Sequence, residues 1–267
     1  MATHRLFLFS LIICAFSAPT YGFFEQSKEA ERQAYNDQNL AALKKFLNVS
    51  PETALALVSD LHEVLFDRLP GDFERAKQVG ALQMCTFLGH LMPFGCKYLA
   101  YKMGLTNHPS LEYHIVDVGE KEPNKELMQL ISPFTINPDM ASLYKNCKYP
   151  IFACSNIGQQ SYDYLDKKFA CDKLFMGKQI ATAENGYLQK DRPETYQALY
   201  ATMTSKMGKA PAAILMLDDR KENLIACQKA LTKELPSTVY GFIFKNHADL
   251  AAALQKHGLD TLLKVIP

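Results

Sequence analysis

The chain has 267 residues, a formal charge of +1, and 48% apolar and 21% charged residues, the proportions of a soluble globular protein rather than a fibrous or low-complexity one. Basic and acidic residues balance, so no cationic surplus exists to neutralise a phosphate backbone, which counts against nucleic acid as a partner. The length is enough for one large domain or for a core with a smaller accessory domain.

At the start of the chain His4 and Arg5 precede an apolar run from Leu6 to Phe16, too short for the ~20 residues a membrane-spanning helix needs. Small residues follow, at Thr20 and Gly22. This is the pattern of a secretory signal peptide cut after Gly22. Residues 1–22 are therefore expected to be removed, leaving a formally neutral, exported chain (periplasmic or secreted) with no stable membrane insertion. Six cysteines lie beyond that cut: Cys85, Cys96, Cys147, Cys154, Cys171 and Cys227. An even number in an exported protein permits disulfides. No C-x-x-C pair or zinc spacing is present, and Cys154 and Cys227, set in apolar runs, read as small buried hydrophobes.

Helical spacing of Ala34, Leu40, Leu43, Phe46 and Leu47 predicts a helix over 26–47. Ala54–Val58 is a continuous apolar run of the kind that forms a buried parallel strand, leading into Ser59-Asp60-Leu61-His62-Glu63-Val64. Residues 72–104 are helical in pattern, and a less regular helical stretch covers 124–146, divided by Pro133 and Pro138. A strand over 150–154 ends in Ser155-Asn156, and a helix carrying Tyr162, Leu165 and Phe169 follows. Lys190-Asp191-Arg192-Pro193-Glu194 opens a helix over 195–206. The strand 212–217 ends in Asp218-Asp219, and a helix (222–233), a strand (238–244) and a last helix (248–256) complete the chain. Strands alternating with helices imply parallel βαβ units in a doubly wound sheet, with ligands at the carboxyl ends of the strands. Asp60, Ser155, Asn156, Asp218 and Asp219 all fall at such ends.

Three carboxylates brought to one place repel one another unless a cation intervenes. Oxygen-only ligands suit Mg²⁺, which binds through one or two carboxylates together with water and substrate phosphate. Ser155 and Asn156 add neutral groups for phosphate oxygens, and Lys190 adds a positive charge. This combination suits phosphoryl transfer with Asp60 as nucleophile.

The order of these residues resembles the haloacid dehalogenase-like (HAD) superfamily of hydrolases. Asp60-Leu61-His62-Glu63-Val64 stands where that family has D-x-D-x-T/V after its first strand. Ser155-Asn156 matches its second motif, and Lys190-Asp191-Arg192-Pro193-Glu194-Thr195-Tyr196 its lysine motif. Asp218-Asp219-Arg220-Lys221-Glu222-Asn223 matches its acidic pair in D-D-x-x-x-N. The likeness runs from residue 54 to 258. It implies a Rossmann-like core over 23–66 and 148–267, with a helical cap over 67–147 that closes on the site. It also implies a phosphatase acting on a small phosphorylated molecule through an aspartyl-phosphate. In that scheme Asp60 attacks, Ser155, Asn156 and Lys190 hold phosphate oxygens, and His62 protonates the leaving group. Magnesium is held by Asp60, the His62 backbone carbonyl and the acidic pair, Asp219 more directly than Asp218. One residue departs from the family: His62 replaces the second Asp. An imidazole with an ordinary pKa of about 6.5 can serve as the acid. The same replacement leaves open a catalytically weakened binding module, or the dehalogenase branch, which also lacks that Asp.

Overall fold

The computed structural model describes residues 21–49, 54–68, 134–182, 184–185, 188–232 and 238–262. The expected signal segment up to residue 20, Cys85, Cys96 and most of the expected cap, 69–133, lie outside the described residues.

A 29-residue helix, α1 (Tyr21–Val49), precedes the first strand, β1 (Leu55–Ser59). Phe66–Arg68 (β2) and Phe134–Ile136 (β3) pair antiparallel, so the chain leaves toward residue 69 and returns at residue 134 side by side. Pro138–Lys145 (α2) follows, with Asn137 as N-cap accepting from the Met140 N–H at 3.1 Å and Pro138 at the first helical position. The stretch expected to be helical over 124–146 is therefore strand and then helix in its described part. Next come β4 (Ile151–Gly158), α3 (Gln159–Phe169), β5 (Gly177–Ala181), α4 (Pro193–Met207), β6 (Ala213–Asp218), α5 (Lys221–Thr232), β7 (Thr238–Ile243) and α6 (His247–Lys256).

Five strands form one parallel sheet in the order β5-β4-β1-β6-β7. All five residues of β1 and all six of β6 are buried, which explains their unbroken apolar runs: both faces are covered. Alternate residues separate into two packed layers. Leu55, Leu57, Ala153, Leu215 and Leu217 pack with α1, α2, α3 and α6, whereas Ala56, Val58, Phe152, Cys154, Ile214 and Met216 pack with α4 and α5. Cys154 and Cys227 are fully buried thiols in the second layer.

The edge strand β7 is closed by side chains of α1 in place of a sixth strand. Asn36 accepts from the Ile243 N–H at 2.7 Å and donates to the Ile243 carbonyl at 3.0 Å, and Asn39 accepts from the Gly241 N–H at 3.1 Å. Gly241 permits this approach, since a Cβ there would collide with the Tyr35 hydroxyl. Among the described residues no helix is long and apolar enough to cross a membrane.

The order places β1 between β4 and β6. The chain runs outward to β5 and then crosses back to β6, so the switch point of the sheet lies at the carboxyl end of β1.

Candidate active site

Asp60 follows the last residue of β1, and its N–H bonds to the Leu217 carbonyl of β6 at 2.9 Å. Its carboxylate, in a residue only 5% exposed, is held at both oxygens. Oδ1 accepts from the Leu61 N–H at 2.7 Å, and Oδ2 meets Lys190 Nζ at 2.5 Å. Behind it, the Tyr144 hydroxyl donates to Ser59 Oγ at 2.5 Å, and that hydroxyl donates to the Asp60 carbonyl at 2.5 Å. Neither Ser59 nor Tyr144 was singled out from the sequence; the only signal was a serine ending an otherwise apolar strand.

Lys190 is 1% exposed, and Nζ also reaches Asp218 Oδ2 at 2.7 Å. Its backbone is placed by Asn156, whose Oδ1 accepts the Lys190 N–H at 2.8 Å. A turn then leads into α4: Arg192 N–H bonds to the Gln189 carbonyl, which also accepts from the Thr195 hydroxyl. Burial alone would lower the Lys190 ammonium, but the carboxylates of Asp60 and Asp218 outweigh it and raise Lys190 above its ordinary value.

Asp218, at the end of β6, is fully buried. Its Oδ1 accepts from the Arg220 N–H and from Asn223 Nδ2, each at 2.9 Å. Asn223 is placed in turn by its helix, where Tyr196 of α4 donates to its carbonyl at 2.9 Å. Desolvation holds the Asp218 carboxyl above its usual range despite the lysine. Asp219 is partly buried, and burial together with the charges of Asp218 and Asp60 pushes it up to about 6.

Carboxylate oxygens of Asp60, Asp218 and Asp219 lie within 4.8 Å of one another. Three carboxylates face a single ammonium, the electrostatic condition that a divalent cation relieves, and the donors are all hard oxygens. The residues present therefore fit Mg²⁺. Asp218 already serves Lys190, Arg220 and Asn223, so of the acidic pair Asp219 is the better placed to give up oxygens to a metal. The imidazole of His62 does not join this group. His62 is partly buried in a tight turn after β1, where the Phe66 N–H bonds to the Leu61 carbonyl at 2.8 Å and Glu63 takes a left-handed φ of 56°. Ser155 is 4% exposed, within β4 beside β1.

No protein-family model and no curated protein matches the sequence. Solved structures similar to this chain include a HAD-family enzyme from Bacteroides thetaiotaomicron, at 19% identity over 71% of this chain and 93% of that one with a TM-score of 0.45. The same enzyme as a magnesium complex gives the same figures. An L-2-haloacid dehalogenase from Xanthobacter autotrophicus is 16% identical over 69% of this chain and 75% of that one, with a TM-score of 0.41.

Proposed function

We propose that this chain is a magnesium-dependent, HAD-like hydrolase that cleaves phosphate monoesters of a small molecule through an aspartyl-phosphate. The observation that carries this reading is the buried Lys190 ammonium lying between Asp60 and Asp218, with Asp219 alongside, at the switch point of a parallel sheet. A cation pocket beside a nucleophile suits a doubly charged phosphate ester better than a haloacid carrying one carboxylate.

Asp60 attacks phosphorus, forming a P–O bond to its carboxylate while the P–O bond to the alcohol breaks. His62 gives the departing oxygen its proton; water, passing a proton back to His62, then cleaves the P–O bond of the acyl phosphate, releasing inorganic phosphate and regenerating Asp60. Lys190, with Ser155 and Asn156, binds the phosphoryl oxygens. Mg²⁺ held by Asp60, the His62 carbonyl and Asp219 would neutralise charge on the phosphoryl group.

A panel of phosphate esters assayed with and without Mg²⁺ tests the reading, with 2-haloacids as a further arm. Phosphate release that depends on Mg²⁺ supports it. Halide release would assign the dehalogenase reaction instead, and binding without turnover a weakened module. His62→Ala is expected to lower kcat by about 10²-fold, the low end of general acid catalysis, with esters of good leaving groups affected least. An equal loss for all leaving groups would remove His62 from the acid role.

Magnesium at about a hundredfold excess over Kd should add about 2.7 kcal/mol of stability, a Tm rise of roughly 5–10 °C for a domain of this size. Asp219→Asn should lose most of that rise. Without metal the same variant should melt higher than wild type near neutral pH, because it removes a carboxylate whose ionisation is disfavoured in the fold. The sign follows from the raised value of about 6 at Asp219. The folded form holds a proton that the unfolded form has already lost, so metal-free stability falls as pH rises from the ordinary carboxyl value toward 6. Magnesium affinity should climb over the same interval. Scanning calorimetry across that range checks both.

We also propose export. The mature protein in a periplasmic or culture fraction should begin near Phe23 on N-terminal sequencing. An intact Met1 in the membrane fraction would make the segment an anchor.

A further inference from the structure

We propose that Tyr144 and Ser59 are positioning residues that set the orientation of the Asp60 carboxylate, acting through the peptide unit between Asp60 and Leu61. The inference rests on the reading of Asp60 as nucleophile only for its kinetic consequence.

Four links run in one direction. The Tyr144 hydroxyl donates to Ser59 Oγ at 2.5 Å, and Ser59 Oγ donates to the Asp60 carbonyl at 2.5 Å. That carbonyl and the Leu61 N–H belong to one planar peptide, so fixing the first fixes the direction of the second. The Leu61 N–H then donates to Asp60 Oδ1 at 2.7 Å. The donor and acceptor roles are consistent throughout, since a serine hydroxyl has one proton to give and lone pairs to receive. With Oδ1 held this way, Oδ2 is the oxygen paired with Lys190, so the two oxygens of the carboxylate are not equivalent.

The relay is sealed from water: Ser59 is 0% and Tyr144 3% exposed. Burial also pushes the phenol well above its usual range, so it stays a donor at any working pH. Aligned hydrogen bonds in such a setting polarise one another. The Tyr144 ring packs edge-on against Phe175 at 5.8 Å, so losing the hydroxyl leaves that packing in place. Tyr144 sits on α2, about two turns past Asn137, whose N–H bonds to the Leu65 carbonyl at 2.8 Å. The helix that follows β3 thus reaches the nucleophile from behind.

The test uses Tyr144→Phe, Ser59→Ala and the double variant in the full mature chain. Two readouts are taken: the Leu61 amide proton in ¹H–¹⁵N spectra, and steady-state kinetics on an aryl phosphate with Mg²⁺. Each single variant should move the Leu61 amide upfield as its bond to Oδ1 weakens. Each should lower kcat by about 10- to 100-fold, the usual cost of releasing a group that orients a reacting one, with KM changed by less than about threefold. The double variant should lose little more than either single one, because both break the same chain. Folded variants with an unmoved Leu61 amide overturn the relay. So do additive losses in kcat, or a fall in Tm with kcat intact. If wild type hydrolyses no ester while the Leu61 amide still responds, the hydrolase reading fails and the positioning of Asp60 stands.

Discussion

Asp60→Asn is expected to abolish ester hydrolysis, lowering kcat by about 10⁴-fold or more, as loss of a nucleophile that acts in concert with its neighbours does. An amide cannot form the acyl phosphate, yet its oxygen can still accept the Leu61 N–H, and Lys190 keeps Asp218 as partner. The variant should therefore fold and stay close to wild type in circular dichroism, which separates lost chemistry from lost structure. Rapid quench with a ³²P-labelled ester should trap label on Asp60 in the wild type and none in the variant. A variant that retains about one-hundredth of wild-type turnover would remove Asp60 from the nucleophile's role.

Lys190→Met is expected to produce the largest loss of stability from a single site residue. The ammonium is 1% exposed between two buried carboxylates. Removing one partner of a buried charge network leaves the others uncompensated, at a cost of about 3–5 kcal/mol, or a Tm lower by roughly 10 °C or more. The deficit should narrow as pH falls from neutrality, since the stranded carboxylates can then take up protons that the folded form favours more than the unfolded chain does. Activity should fall too, by about 10²–10³-fold, the cost of deleting a preorganised charge from a phosphoryl-binding site. Melting curves near neutral pH and at two acid steps test the stability claim. A Tm equal to wild type throughout would mean that the acidic cluster tolerates its own repulsion without Lys190.

The central strands were legible because burial on both faces leaves an unmistakable mark. Leu55–Ser59 and Ala213–Asp218 are covered above and below, so their sequences hold apolar residues until the sheet ends, and the first acids, Asp60 and Asp218, stand where the chain emerges. Lys190 stood out for a different reason, its likeness to the lysine motif of the resembled family, ahead of Pro193, which starts a helix at its first turn. Other elements carry no such mark. Gly177–Ala181 includes Lys178 and Gln179 and, among the described residues, pairs on one side only; an edge strand needs no apolar run. Phe134–Ile136 is three residues long and exists through its partner Phe66–Arg68, more than sixty positions earlier, beyond the reach of any local pattern.

What the sequence by itself determined was the alternation of elements, the strand ends at which polar residues stand, and the residue types that gather there. Local propensity and two-sided burial write these directly into neighbouring positions. What only the tertiary structure decided was the wiring: Lys190 between Asp60 and Asp218 rather than free in solvent, and Asp218 committed to Arg220 and Asn223 while Asp219 stays partly open. It also decided that Tyr144 stands behind Ser59 and that the asparagines of α1 close the edge of β7. Each of these joins residues far apart along the chain, and the energy of such contacts depends on distance and desolvation in space, which no spacing along one strand or helix encodes.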